Sequence, residues 1–291
     1  MKIVLGIHPA HDANPLVGVV KGLAWPSAEV HVVAVVESVA VATPYAFGDA
    51  SMPAQVYSQI EAATEEAARK VAAEFSSAQV ATPAGDPATE LTDYAKAHNA
   101  DLIVVGSERK GFFGSLFFGS VSRGLTLHGD RSLLLVKQPA ADWETMVFAT
   151  DLSDYSQHVW QEFVAQRPGC LRKLHVVTAV DVQPPNPHWL LPNLGDYMSI
   201  PEPNVEEIQR QLAERFPAAA LAGVEVVHEV VMTDAKAGLE READARGAGV
   251  LIVGGKGHTW ADRVFIGSVA LHHTVHGEQN LWVVRPAVSK G

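Results

Sequence analysis

Short β-branched apolar runs alternate with longer stretches in which apolar residues recur every three or four positions. The runs at 3–7, 30–36, 102–105 and 132–136 are dense in Val, Ile and Leu, and their length predicts buried strands. A weaker strand is expected at 79–82. Val56, Ile60, Ala63, Ala67 and Val71 mark one face of a helix over 54–75, where Ala, Glu, Arg and Lys dominate. A shorter helix is expected at 17–23. Gly85-Asp86-Pro87 starts another by its chemistry, with Asp as cap and Pro in the first turn. Gly119-Ser120-Val121 opens a further helix, which runs to about His128.

The second half replays this order. Strands are expected at 145–150, 174–180, 224–231, 250–253 and 281–284, and helices at 154–164, 205–216, 234–246 and 267–276. Gly106 matches Gly254, Gly119-Ser120-Val121 matches Gly267-Ser268-Val269, and Asp86 matches Asp234, all at one constant spacing. The chain is therefore a duplication, with units at 1–138 and 143–291 and a Pro/Ala linker between them. Long loops are expected at 37–53 and 183–203. Strands alternating with helices imply parallel sheets with right-handed crossovers. The expected fold is α/β: two tandem Rossmann-like or flavodoxin-like doubly wound sheets, each of five parallel strands in the order 3-2-1-4-5. A pseudo-two-fold axis relates them. In such sheets a ligand sits beyond the strand ends where the order reverses. That rule brings Asp151, ending the first strand of the second unit, to Gly254, ending the fourth.

The net charge of −11 and the lack of a Lys/Arg cluster argue against a nucleic-acid partner. With one cysteine, Cys170, the chain forms no internal disulfide, which suits a cytoplasmic location. No run is long enough to span a bilayer, and the N-terminus enters a strand pattern at once, so no membrane association is expected. The chemistry concentrates at Gly254-Gly255-Lys256-Gly257 and Gly267-Ser268-Val269. Glycines at a strand exit let the main chain approach a ligand, and a helix start offers free N–H groups and partial positive charge to phosphate. Ser268 is expected to cap that helix, and Asp151 either caps the helix after it or meets ligand. Lys256 and Arg263 either neutralise phosphate charge or serve as solubilising charges in the loop, the commoner fate. His272 and His276 stand four apart but lack a third partner at ligand spacing, so no metal site is assigned.

The spacing Gly254-x2-Gly257-x9-Gly267-Ser268-Val269 resembles the nucleotide-binding signature of the universal stress proteins. So do Val147-Phe148-Ala149-Thr150-Asp151-Leu152-Ser153 and Gly85-Asp86-Pro87-Ala88, and the likeness covers nearly the whole chain as two copies. The resemblance implies a cytoplasmic stress-response protein that binds ATP, with Mg²⁺ or Mn²⁺ carried by the phosphates, and closing strands, 133–136 and 281–284, that pair across the axis between the units. It implies a site made by Asp151, Gly254, Gly257, Gly267, Ser268 and Val269, with Ala179 lining the base pocket. The first unit departs from the pattern. His8 takes the place of the acid and Arg109 that of the second glycine, while Gly106, Gly119, Ser120 and Val121 remain as a degenerate second site. Arg109 either blocks close approach or reaches a phosphate; an impaired first site is the favoured reading. No catalytic residue is assigned. The expected role is a nucleotide-dependent regulator, with a homodimer and an unidentified protein partner. A scaffold that binds no nucleotide and a slow ATPase are the alternatives, with His258 the nearest candidate base.

Overall fold

The computed structural model describes residues 1–37, 54–107, 119–139, 142–181, 203–255 and 267–286, so the two expected long loops lie almost wholly outside the described residues. The first half runs β1 (Lys2–Ile7), α1 (Asn14–Leu23), β2 (Glu29–Ala34), β3 (Val36–Glu37), α2 (Ala54–Ala72), β4 (Ala78–Ala81), β5 (Ala84–Gly85), α3 (Pro87–Ala97), β6 (Leu102–Gly106), α4 (Ser120–His128) and β7 (Ser132–Val136). The second half runs β8 (Thr145–Ala149), α5 (Asp154–Gln166), β9 (Lys173–Ala179), α6 (Val205–Arg215), β10 (Glu225–Val231), α7 (Ala235–Ala245), β11 (Val250–Gly254), α8 (Ser268–His276) and β12 (Asn280–Val284). The two-residue strands β3 and β5 pair only with each other; they are too short to show as a sequence pattern.

Within each half the strands are parallel and take the expected order, β4-β2-β1-β6-β7 and β10-β9-β8-β11-β12. The inner strands are apolar on both faces because helices cover both sides. Ile3, Val4 and Leu5 of β1 are all fully buried, as are Leu251 and Ile252 of β11. Their odd and even positions feed two separate core layers. One holds Leu5, Leu134, Phe148 and Trp282, and the other holds Val4, Leu135, Val147 and Leu281. Both layers run through both halves.

The two expected five-stranded sheets fuse into one of ten strands through β7 and β12. This junction is antiparallel, with Leu281 opposite Leu135, Trp282 opposite Leu134 and Val283 opposite Leu133. Leu134 and Trp282 are equivalent repeat positions, so the pseudo-two-fold axis passes between them. Helices α4 and α8 pack against each other beside the same axis.

The helix starts follow from local chemistry. Asp86 accepts a bond from Thr89 N–H at the head of α3, and Asp234 accepts from Lys236 and Ala237 N–H at the head of α7. Those N–H bonds hold both carboxyl groups below the usual carboxylate range. The second half lacks the proline that follows Asp86 but keeps the cap.

Candidate functional site

At the strand ends of the second half, two turns face each other. The first follows β8. Thr178 Oγ1 donates to Thr150 O at 2.8 Å, tying the end of β9 to this turn. Thr150 Oγ1 accepts from Leu152 N at 3.0 Å and donates to Ser156 Oγ at 3.0 Å. Leu152 adopts φ +61°, a left-handed conformation that costs a branched residue energy and must be held from outside. Arg215 of α6 provides that hold, donating from Nη1 to Leu152 O at 2.9 Å. Ser153 caps α5 by accepting from Ser156 N–H, so the capping role does not fall to Asp151. Asp151 instead fixes the cap: its Oδ1 accepts from Ser153 N at 3.0 Å and Ser153 Oγ at 2.6 Å.

The opposite wall is the exit of β11. Gly255 N donates to Val284 O at 3.0 Å, and Gly267 N donates to Gly255 O at 3.2 Å. These bonds hold Gly255 and Gly267 together; residues 256–266 between them, with Lys256, Gly257, His258 and Arg263, lie outside the described residues. Gly267, not Ser268, is the N-cap of α8; Ser268 is already its first helical residue, and no side chain caps this end. The first intrahelical bond runs from Leu271 N to Gly267 O. The amides of Ser268, Val269 and Ala270 therefore precede the helical ladder, and all three residues line the crevice. Asp151, Ala179, Gly254, Gly267, Ser268 and Val269 surround one cavity of about 260 Å³.

The first half has the same construction. Gly106, Gly119, Ser120 and Val121 line a cavity of about 390 Å³. Gly119 is the N-cap of α4, again without a side-chain cap, and the first helical bond runs from Arg123 N to Gly119 O. Strand register puts His8 where Asp151 stands. β1 pairs Ile3 with Leu102, β8 pairs Met146 with Val250, and both turns lie the same distance beyond. The His8 ring stacks on His11 at 4.4 Å, its Nδ1 accepts from Ala10 N at 3.2 Å, and Nε2 lies 3.9 Å from Glu37. Arg109 lies outside the described residues.

Among the described residues no group of three His, Cys, Asp or Glu side chains could hold a metal ion, and no helix is long and apolar enough to cross a membrane. His128 and His276 sit exposed at the equivalent C-terminal ends of α4 and α8, and the buried member of the histidine cluster is His273. Sequence reasoning missed Arg215, because nothing local ties α6 to the turn after β8. It also missed Lys137 and Arg285, although these stand at the same repeat spacing as Gly106 and Gly254.

The family model for the universal stress protein family matches residues 1–137 and, a second time, residues 142–285. The chain belongs to the universal stress protein family. Among solved universal stress proteins, one from Archaeoglobus fulgidus DSM 4304 superposes with a TM-score of 0.66 at 16% identity, covering 98% of each chain. A putative universal stress protein from Pseudomonas aeruginosa UCBPP-PA14 gives a TM-score of 0.62 at 14% identity, over 98% of this chain and 93% of that one. At these identities the likeness is one of fold. The stress response protein NhaX of Bacillus subtilis (strain 168) is 42% identical over 53 residues, which is 18% of this chain and 32% of that protein. The chain thus aligns with only about a third of that relative. The tandem match accounts for the doubled universal stress protein unit, the repeated strand order and the two crevices.

Proposed function

We propose that this universal stress protein binds ATP in its C-terminal crevice and acts as a nucleotide-dependent regulator in a stress response. The observation that carries the reading is convergence. A carboxylate at the end of β8, the end of β9 at Ala179, the Gly254 turn and the uncapped start of α8 meet around one cavity where the strand order reverses. An uncapped helix start offers amides and partial positive charge to phosphates, and the glycines let those phosphates come close. In this reading Asp151, which lines the cavity, accepts from a sugar hydroxyl. Divalent metal would enter with the phosphates, because among the described residues carboxylates do not cluster there.

ATP titrated into wild type, Asp151→Ala and Gly257→Arg tests the reading. Asp151→Ala is expected to weaken binding about tenfold, the loss of one charge-assisted hydrogen bond. Gly257→Arg copies the first half's Arg109 and is expected to weaken it at least as much. Equal affinities in all three proteins would show that the pocket lies elsewhere.

A second reading, nucleotide in both crevices, is favoured by Gly119. A Cβ there would meet nothing within 4 Å and the backbone φ is −59°, so neither packing nor backbone conformation calls for glycine. A bound-nucleotide stoichiometry near two rather than one would support it.

A further inference from the structure

Lys137, buried, and Arg285, partly buried, cross the pseudo-two-fold axis in opposite directions. Lys137 follows β7, and its Nζ donates to His273 O at 2.5 Å and Gly277 O at 2.7 Å, at the C-terminal end of α8. Arg285 follows β12. Its Nη2 donates to Thr126 O at 2.6 Å and Leu125 O at 3.3 Å in the last turn of α4, and its Nη1 donates to Arg131 O at 2.6 Å. Their main chains are exchanged as well. Lys137 N donates to Asn280 Oδ1, and Arg285 N donates to Ser132 Oγ, from equivalent first residues of the closing strands.

Each cation therefore holds the far end of a helix whose near end opens on the other half's crevice. Each also reaches toward its own half's crevice, Lys137 directly and Arg285 through Gly255, the neighbour of the lining residue Gly254. Lys137 lines the first cavity. Arg285 packs on Gly255 beside the second, where its Cγ lies 2.8 Å from the place a Cβ would occupy. A cation at a helix C-terminus and an anion at its N-terminus both complement the same dipole. A nine-residue helix is a rod of about 13.5 Å, so a displacement at one end reaches the other. Burial brings the Arg285 guanidinium down to about 10, which leaves it charged at neutral pH.

From this geometry we propose that Lys137 and Arg285 form a reciprocal clasp that couples the two crevices. Occupation of the C-terminal crevice moves α8, α8 moves Lys137, and Lys137 moves the wall of the N-terminal crevice. The return path runs through α4 and Arg285. The coupling to ligand rests on the nucleotide reading above; the mechanical link does not.

The full chain is compared with Lys137→Met and Arg285→Met by residue-resolved amide hydrogen exchange. Without ligand, Lys137→Met is expected to speed exchange at Leu271, the first bonded amide of α8, about fivefold or more while sparing Arg123. Arg285→Met is expected to do the reverse at Arg123 of α4. Loosening confined to the C-terminal turns would overturn the clasp. Should Arg285→Met fail to fold, Arg285→Lys is expected to give a smaller change at the same amide, and no change there would count against the proposal. With ATP, wild type is expected to shift the His8 ring resonances when the C-terminal crevice fills. Lys137→Met is expected to bind ATP there without that shift, and a shift that survives would overturn the coupling. Absence of ATP binding to wild type would sink the nucleotide reading alone, and the clasp would then be judged on the ligand-free exchange at Leu271 and Arg123.

Discussion

Gly119 lines the first crevice and Gly255 follows Gly254, which lines the second, yet the two glycines stand in different surroundings. A Cβ at Gly119 would project into open space, whereas one at Gly255 would meet Arg285 Cγ at 2.8 Å. Arg285 cannot swing aside, because three main-chain carbonyls hold its guanidinium. Gly119→Ala is therefore expected to leave the urea midpoint nearly unchanged. Gly255→Ala is expected to cost about 1–3 kcal/mol, the usual range for overpacking. Equal costs would mean that Arg285 is less fixed than its bonds suggest. Arg215 is a positioning residue of the same kind, since it touches the turn and not the cavity. Arg215→Ala is expected to lower stability by only about 1 kcal/mol, because the side chain is partly exposed. It should weaken ATP binding by more than that loss implies, because the Leu152 conformation is then unsupported; calorimetric titration beside urea unfolding separates the two effects.

At the scale of elements, the site depends on the registration of β8. Phe148 is fully buried and packs against Trp160, Phe163 and Phe216, with ring centroids 5.3–5.8 Å away. These rings come from α5 and the end of α6, the helix that also carries Arg215. Phe148→Ala is expected to cost about 3–5 kcal/mol in chemical unfolding. It should also broaden the Asp151 turn, a consequence that Leu134→Ala in β7, farther from the turn, would lack. Element identity was legible in the sequence because periodicity and capping agree. The β7 limits, 132–136, coincide with the apolar run, and the Asp86 and Asp234 caps stand where their spacing put them. Ser268 was misassigned by one position, because a Gly-Ser pair before a helix leaves the cap open to either residue, and only backbone angles assign it to Gly267.

For the whole molecule, the junction between halves is both core and polar clasp. His273 lies in that junction, buried, with Lys137, His272 and Glu240 around it and its Nδ1 without a hydrogen-bond partner. Burial pulls its pKa below the ordinary 6.5, and burial together with His276 does the same to His272. As pH falls below 6.5 the unfolded chain takes up protons that the folded chain refuses, so stability declines toward acid. The slope is at most about 1.4 kcal/mol per pH unit for each such group. His273→Leu is expected to flatten the fall in melting temperature between pH 6.5 and 5. An unchanged slope would place the acid sensitivity elsewhere. Because β7 and β12 already pair with each other, the outer edges of the ten-stranded sheet are β4 and β10, and the inner edges of the closing strands are not open to a second copy.

What the residues alone determined is local or repeated. Apolar periodicity made the strands and helices, Asp and Pro set helix starts, and the constant repeat spacing made two like units with Gly-rich strand exits. Those properties are written into neighbouring positions, so they can be read without knowing where the chain goes. Tertiary structure decided what distance along the chain conceals. It set Arg215 against the turn after β8, closed two sheets into one around Leu134 and Trp282, and sent Lys137 and Arg285 each into the opposite half. Such contacts leave no mark on neighbouring positions, because the carbonyls that hold each cation lie more than a hundred residues away along the chain.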